Sequence, residues 1–235
     1  MVQTHRETKM KALFVNGSPR KKWNTADALD HAAEGAKSVG AEVERVDLYD
    51  YECKGCMSCF ACKLKNAKTN GLCAMRDALR PVLEKARAAD LVVVGSPVYF
   101  HNPTGQVRAF IERFAFPVYS YFYENGAPRV ARDKVVPTGL IYTMNCPKDM
   151  MEQWNYPQIL GSSAETLNTV FGYNELLYIY NTTQFKDYSR YDFNLFDPEE
   201  KARYKEAHYE EDMRKAFELG KRLAEKARAI ADAQA

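Results

Sequence analysis

The stretch "LVVVGSPVYFHNPTGQVRAFIERF", residues 91–114, decides the fold. Its first ten residues form a continuous apolar strand that ends in Gly and Pro. A strand without polar alternation is buried on both faces, as in a parallel sheet covered by helices on two sides. The second half, from Thr104, reads as the helix that follows such a strand. One strand–loop–helix unit of this kind implies others, and the chain supplies them.

Upstream, "KALFVNGSPR" reads as a strand over Lys11 to Asn16 with a loop from Gly17 onward. "NTADALDHAAEGAKSVG" is helical: Asn24 or Thr25 can cap it, Ala28, Leu29, Ala32, Ala36 and Val39 form an apolar stripe, and Gly40 ends it. "AEVERVDL" alternates as a strand with one polar face. "RDALRPVLEKARAAD" is helical, with Pro81 in its first turn. Downstream, "KVVPTGLIYTMN" and "NELLYIYN" are strands separated by the short helix "SSAETLNTVFG". Met213, Phe217, Gly220, Leu223, Ala227 and Ile230 mark one face of a long C-terminal helix.

Strands and helices thus alternate about five times, the pattern of a doubly wound α/β fold. We expect a five-stranded parallel sheet in order 2-1-3-4-5 with helices on both faces. Residues 1–9 read as a disordered or extended tail and residues 10–235 as a single domain. That domain carries a cysteine-rich insertion at 51–75 and a C-terminal helix at about 198–232. Residues 117–133, 146–162 and 182–200 read as irregular. They are rich in Tyr and Phe, which suits either an interface or a cover over the domain's own core.

With 235 residues, 46% apolar and 27% charged, the chain is ordinary for a globular protein. Net charge is +2, so nothing in the charge balance favours a nucleic-acid partner. No apolar run approaches the ~20 residues of a membrane span. The polar start "MVQTHRETKMK" does not resemble a secretory leader. The expected compartment is the cytoplasm, where disulfides are rare.

In open α/β sheets ligands sit beyond the carboxyl ends of the strands, where strand order reverses. The first such loop, "NGSPRKKWNT", lacks the Walker A, dinucleotide and nucleophile-elbow spacings. It offers Ser18, Arg20, Asn24 and Thr25 beside a helix start, whose unpaired N–H groups attract a phosphate. The alternative is a plain turn with a cap. The second loop, "GSPVYFHNPTG", is flat and apolar enough for the face of a planar ring. The third, "YTMNCP", ends the fourth strand. A phosphate at one end and a heterocycle at the other describes a mononucleotide such as FMN.

Here "NGSPRKKWNT", "CKGCMSCFAC" with "CAMRDAL", and "GSPVYFHNPTGQVRAFIERF" resemble the flavodoxin-like NAD(P)H-dependent FMN reductases, within them the iron–sulfur flavoprotein branch. The likeness covers residues 11 to about 116, and "GLIYTMN" extends it. It implies a flavodoxin-like fold with FMN at the sheet's carboxyl edge. Ser18, Arg20, Asn24 and Thr25 would hold the phosphate. Pro97, Val98, Tyr99, Phe100 and Asn102 would line the isoalloxazine, with Thr143, Met144, Asn145 and Cys146 as a third wall. It further implies NAD(P)H as electron donor and a homodimer or homotetramer.

Five of the six cysteines lie within residues 53–73. Four readings are open: a metal or iron–sulfur site, redox thiols, a disulfide staple, or reduced structural thiols. By resemblance Cys53, Cys56, Cys59 and Cys73 would hold a [4Fe–4S] cluster, with thiolates suited to iron. Two features depart from that pattern: the gap from Cys59 to Cys73 is long, and Cys62 is extra, an alternative ligand. Four thiolates could also bind zinc. His101, after the second loop, is a candidate proton donor or an exposed loop histidine.

Three functions fit these residues. One is an FMN-dependent oxidoreductase passing electrons from NAD(P)H to a quinone, a flavin, a similar small acceptor, a redox protein or the cysteine-bound cluster. Another is a non-enzymatic electron-transfer flavoprotein with an iron–sulfur cluster. The last is a metal-stabilised binding module without flavin.

Overall fold

The computed structural model describes residues 9–130 and 135–234. The tail expected at residues 1–9 lies outside the described residues except for Lys9. In chain order the main elements are β1 (Lys11–Asn16), α1 (Asn24–Ser38), β2 (Glu42–Asp47), α2 (Arg80–Ala88), β3 (Leu91–Tyr99), β4 (Asn102–Pro103) and α3 (Gly105–Ala115). They continue with β5 (Tyr119–Glu124), β6 (Ala127–Val130), β7 (Thr138–Thr143), α4 (Lys148–Gln153), α5 (Tyr156–Phe171), β8 (Asn174–Ile179) and α6 (Pro198–Asp232).

The sheet runs β2-β1-β3-β7-β8, all parallel, with β4 paired antiparallel to β3. Among the long strands this is the expected order 2-1-3-4-5. Alternate residues of each strand face opposite layers, because side chains in a strand have period two. Leu13, Val15, Val92, Val94 and Leu140 meet α2, α3 and α5 through Val82, Leu83, Phe110 and Leu167. Ala12, Phe14, Leu91, Val93 and Ile141 meet α1 and α6 through Leu29, Ala32, Leu219 and Leu223. The fold is therefore doubly wound, and β3 is buried on both faces as its composition requires.

Helices α1 and α6 touch backbone to backbone. A Cβ on Gly35 would lie 1.9 Å from the Phe217 carbonyl oxygen, and one on Gly220 would lie 1.8 Å from that of Ala32. Only hydrogen fits at either position. α6 starts at Asp197, whose carboxylate accepts the Glu199 N–H at 2.9 Å and so caps the helix.

Three expectations need correcting. Residues 117–133 are not wholly irregular: β5 and β6 form an antiparallel hairpin about Asn125 and Gly126, both at positive φ. Residues 146–162 contain α4 and the start of α5. The helix expected from Arg76 begins at Arg80, because Asp77 is drawn aside to Arg113 (2.6 Å) and Pro81 needs a first-turn position. Among the described residues no helix is long and apolar enough to cross a membrane.

Candidate functional site

The three loops read from the sequence meet at the carboxyl edge. The Gly17 N–H donates to the Gly95 carbonyl at 2.8 Å, tying the end of β1 to the end of β3. A Cβ on Gly17 would overlap Val107 at 2.0 Å, so this approach needs glycine. Thr104 caps α3, and its hydroxyl donates to the Gly17 carbonyl at 2.9 Å. The Thr25 and Thr143 hydroxyls lie 2.7 Å apart in a buried contact that joins α1 to the carboxyl end of β7.

Neither Asn24 nor Thr25 caps α1. The cap position is Trp23, with no side-chain bond to the helix. The Asn24 amide instead donates to the Thr183 carbonyl at 2.8 Å, and the Trp23 indole to the same oxygen at 3.1 Å. The first-turn N–H groups of α1 are thereby left for an anion. Ser18 is buried; its Oγ accepts the Arg20 N–H at 3.1 Å, which leaves the hydroxyl proton to donate. Arg20 is exposed and donates one guanidinium N–H to the Gln184 carbonyl. The 182–190 segment therefore lies against the first loop. Phe185, Tyr188, Tyr191 and Phe193 stack among themselves, with Phe185 and Tyr191 rings 3.9 Å apart.

β3 leaves the sheet at Pro97 and turns back through a two-residue hairpin. Phe100 and His101 both have positive φ (45° and 68°), and Tyr99 pairs with Asn102. Such turns favour Asn-Gly, because L side chains resist this conformation. Phe100 is 96% exposed at the tip. The His101 ring packs edge-on to Tyr156 (4.9 Å) and Trp154 (5.7 Å). Pro97 and Val98 are half-buried, and Tyr99 and Asn102 are exposed. In the third loop Thr143, Met144 and Cys146 are buried, so only Asn145 presents a side chain, its amide donating to Gln184 Oε1 at 2.9 Å. Burial pushes the Cys146 thiol up.

The cysteine segment docks on the second half of α3. Glu112 accepts the Cys56 N–H at 3.1 Å. Arg113, its side chain wholly buried, grips Asp77 with two bonds (2.6 and 2.8 Å) and donates to the Lys54 carbonyl and to Cys73 Sγ (3.4 Å). These bonds hold the Asp77 carboxyl below the usual range. Cys56, Cys59, Cys62 and Cys73 line one small cavity, closed by Met57, Phe60, Met75 and Phe116. Cys53 does not line it and donates instead to the Leu48 carbonyl at 3.4 Å. All six cysteines are free thiols, and burial pushes those of Cys53 and Cys62 up. Among the described residues no three Cys, His, Asp or Glu side chains are grouped so as to hold a metal ion. Beside this segment a cleft of about 760 Å³ opens between α3 and α5, lined by Phe60, Arg108, Phe116, Tyr121, Ser162 and Thr166.

Residues 10–140, more than half of the chain, match the family model of the NADPH-dependent FMN reductases. The chain belongs to the NADPH-dependent FMN reductase family. Over 104 residues, 44% of the chain, it is 44% identical to an iron–sulfur flavoprotein of Archaeoglobus fulgidus, covering 48% of that protein. An iron–sulfur flavoprotein of Methanosarcina thermophila is 35% identical over 104 residues, 52% of its length. The chain spans about half the length of the curated relatives it matches. Among solved structures, an NAD(P)H:quinone oxidoreductase from Methanothermobacter marburgensis aligns with a TM-score of 0.62 at 14% identity, covering 92% of this chain and 99% of that one. An azoreductase from Bacillus anthracis aligns at 0.59 with 16% identity, covering 92% and 99%. Both likenesses show the flavodoxin-like fold alone.

For a member of the FMN reductase family the carboxyl edge fits FMN in kind. It has uncapped helix donors and a free Ser18 hydroxyl for a phosphate, and an exposed aromatic tip for a ring. Four residues at the two sites escaped sequence reasoning. Lys201, whose ammonium donates to the Asn145 carbonyl of the third loop, stands in a charge run that resembles a solvated face. Thr183 and Gln184 contribute carbonyls, on which sequence is silent. Arg113 did leave a signal, because it falls three residues after Phe110 on the apolar side of α3.

Proposed function

We propose that this FMN reductase family member takes electrons from NAD(P)H onto FMN and passes them to a small acceptor such as a quinone or a flavin, or to a cysteine-bound cluster. The observation that supports it most is the meeting of three loops through Gly17–Gly95 and Thr25–Thr143, largely within the family-matched residues. Ser18, Arg20, Asn24 and Thr25 serve the phosphate. Pro97, Val98, Tyr99, Phe100 and Asn102 serve the ring, with the backbone of Thr143–Cys146 as its third wall. When bound, FMN supplies the hydride and electron chemistry; the protein supplies orientation and electrostatics. Steady-state NADPH and NADH oxidation with a naphthoquinone, FMN and ferricyanide tests the reading. No turnover with any acceptor would refute the enzyme.

The second reading, an electron-transfer flavoprotein with an iron–sulfur cluster, is favoured by the cavity of cysteines. Its lining supports Cys56, Cys59, Cys62 and Cys73 as ligands, with Cys53 outside. Thiols must lose their protons to bind iron, so assembly would release protons. Iron per chain should fall in Cys62→Ser and persist in Cys53→Ser; the opposite result restores Cys53 to the ligand set. The acceptor is a small molecule or a redox protein, and the expected compartment is the cytoplasm. The exposed Tyr121, Phe122 and Tyr123 beside the α3–α5 cleft support a homodimer or homotetramer.

A further inference from the structure

Lys201 breaks two local rules. It lies in the first turn of α6, where the helix end carries partial positive charge and a cation is unfavourable. It is also 1% exposed, where an ammonium needs a partner to offset lost hydration. Every partner it has is neutral. Its Nζ donates to the Asn145 carbonyl and to Asn181 Oδ1 (2.8 Å), lies 3.4 Å from the Thr182 carbonyl, and sits 4.4 Å from the centre of the Phe196 ring. Among the described residues no carboxylate forms an ion pair with it. The titratable groups acting on it are Cys146, from the loop after β7, and Glu200, its own neighbour.

The acceptors are informative. Asn145 belongs to the third wall of the site proposed for the flavin. Asn181 and Thr182 bond back to the same wall: the Asn181 N–H donates to the Cys146 carbonyl, and the Thr182 N–H to that of Met144, both at 2.9 Å. One buried cation thus locks the 144–146 wall to the strand end beside it. Hydride transfer to a flavin moves two electrons and one proton, so the acceptor gains one negative charge while the nicotinamide gains one positive charge. A fixed cation nearby favours that product.

We propose that Lys201 is a positioning residue that fixes the Asn145 wall and supplies the positive charge balancing the one a bound flavin gains on reduction. This rests on the FMN reading above. Burial pushes the ammonium down to about 8, so it remains charged at neutral pH.

The test is the two-electron midpoint potential of bound FMN in the wild type, Lys201→Met and Lys201→Arg, with FMN affinity measured on the oxidised proteins. In Lys201→Met the preference for reduced over oxidised flavin should fall about tenfold, which is about 30 mV for a two-electron couple. Lys201→Arg should restore most of it. A folded, FMN-loaded Lys201→Met with the wild-type potential would overturn the proposal. If that variant does not fold, Lys201→Gln, which keeps an N–H donor for the Asn145 and Asn181 oxygens but carries no charge, takes its place. A folded, FMN-loaded Lys201→Gln with the wild-type potential would refute the charge role. Wild-type protein that binds no FMN at all would sink the underlying reading and this proposal together.

Discussion

Phe100 and His101 hold the tip of the β3–β4 hairpin in a conformation that favours Asn-Gly. Strain of this kind costs on the order of 1 kcal/mol per residue and persists where function selects the side chain. His101→Gly should therefore raise unfolding stability by about 0.5–1 kcal/mol, less whatever the ring contacts with Trp154 and Tyr156 contribute. Phe100→Ala should leave stability nearly unchanged, since the ring is exposed, while weakening FMN binding. Urea titration and flavin fluorescence separate the two effects; equal FMN affinity in Phe100→Ala would remove that side chain from the site. Arg113 is the opposite case. Removing it leaves Asp77 unpaired, and Arg113→Met should cost about 3 kcal/mol. The sign with pH follows from Asp77, whose folded pKa is depressed. Its contribution is fully present above the unfolded value of about 3.9 and is lost as pH falls through the folded value. The loss of stability below about pH 4 should be smaller in Asp77→Asn than in the wild type. Little of this was legible from sequence: a charged residue on an apolar stripe is a visible signal, whereas the φ of a loop residue is not.

β1, β3 and β7 were legible because their apolar runs have no other stable home than a doubly covered sheet, and β2 was legible through its alternation. The cap of α1 was not: Asn24 and Thr25 are good capping residues, but tertiary partners at Thr183 and Thr143 claim their side chains. The β5–β6 hairpin did carry a signal, the Asn125-Gly126 pair, but its aromatic strands lack the alternation that marks a buried face. Gly220, which meets Ala32, was legible as part of an apolar face, though Gly35, which meets Phe217, was not, because contact between two helices remote in sequence is a property of the assembled layer. Gly220→Ala forces α1 and α6 apart and should destabilise the fold by about 1–3 kcal/mol. A denaturation midpoint equal to the wild type would contradict the close packing of these helices.

At the scale of the molecule, α3 links the two sites. Its first residues carry the loop that meets Gly17, and its last turns carry the cysteine segment through Glu112 and Arg113. The resemblance chose Cys53, Cys56, Cys59 and Cys73 with Cys62 as the alternative, because spacing alone cannot say which thiols share a cavity. The cavity is lined by Cys56, Cys59, Cys62 and Cys73, while Cys53 lies beside Leu48. The central claim is that the carboxyl edge binds FMN, and the most direct measurement is the absorption spectrum of protein purified without oxygen, with flavin and iron assayed on the same sample. The account predicts flavin bands with about one FMN per chain, lost or much weakened in Arg20→Ala and Thr25→Ala. A broad brown absorbance with about four irons per chain would add the cluster. A spectrum without flavin, even after FMN is supplied, would contradict the account.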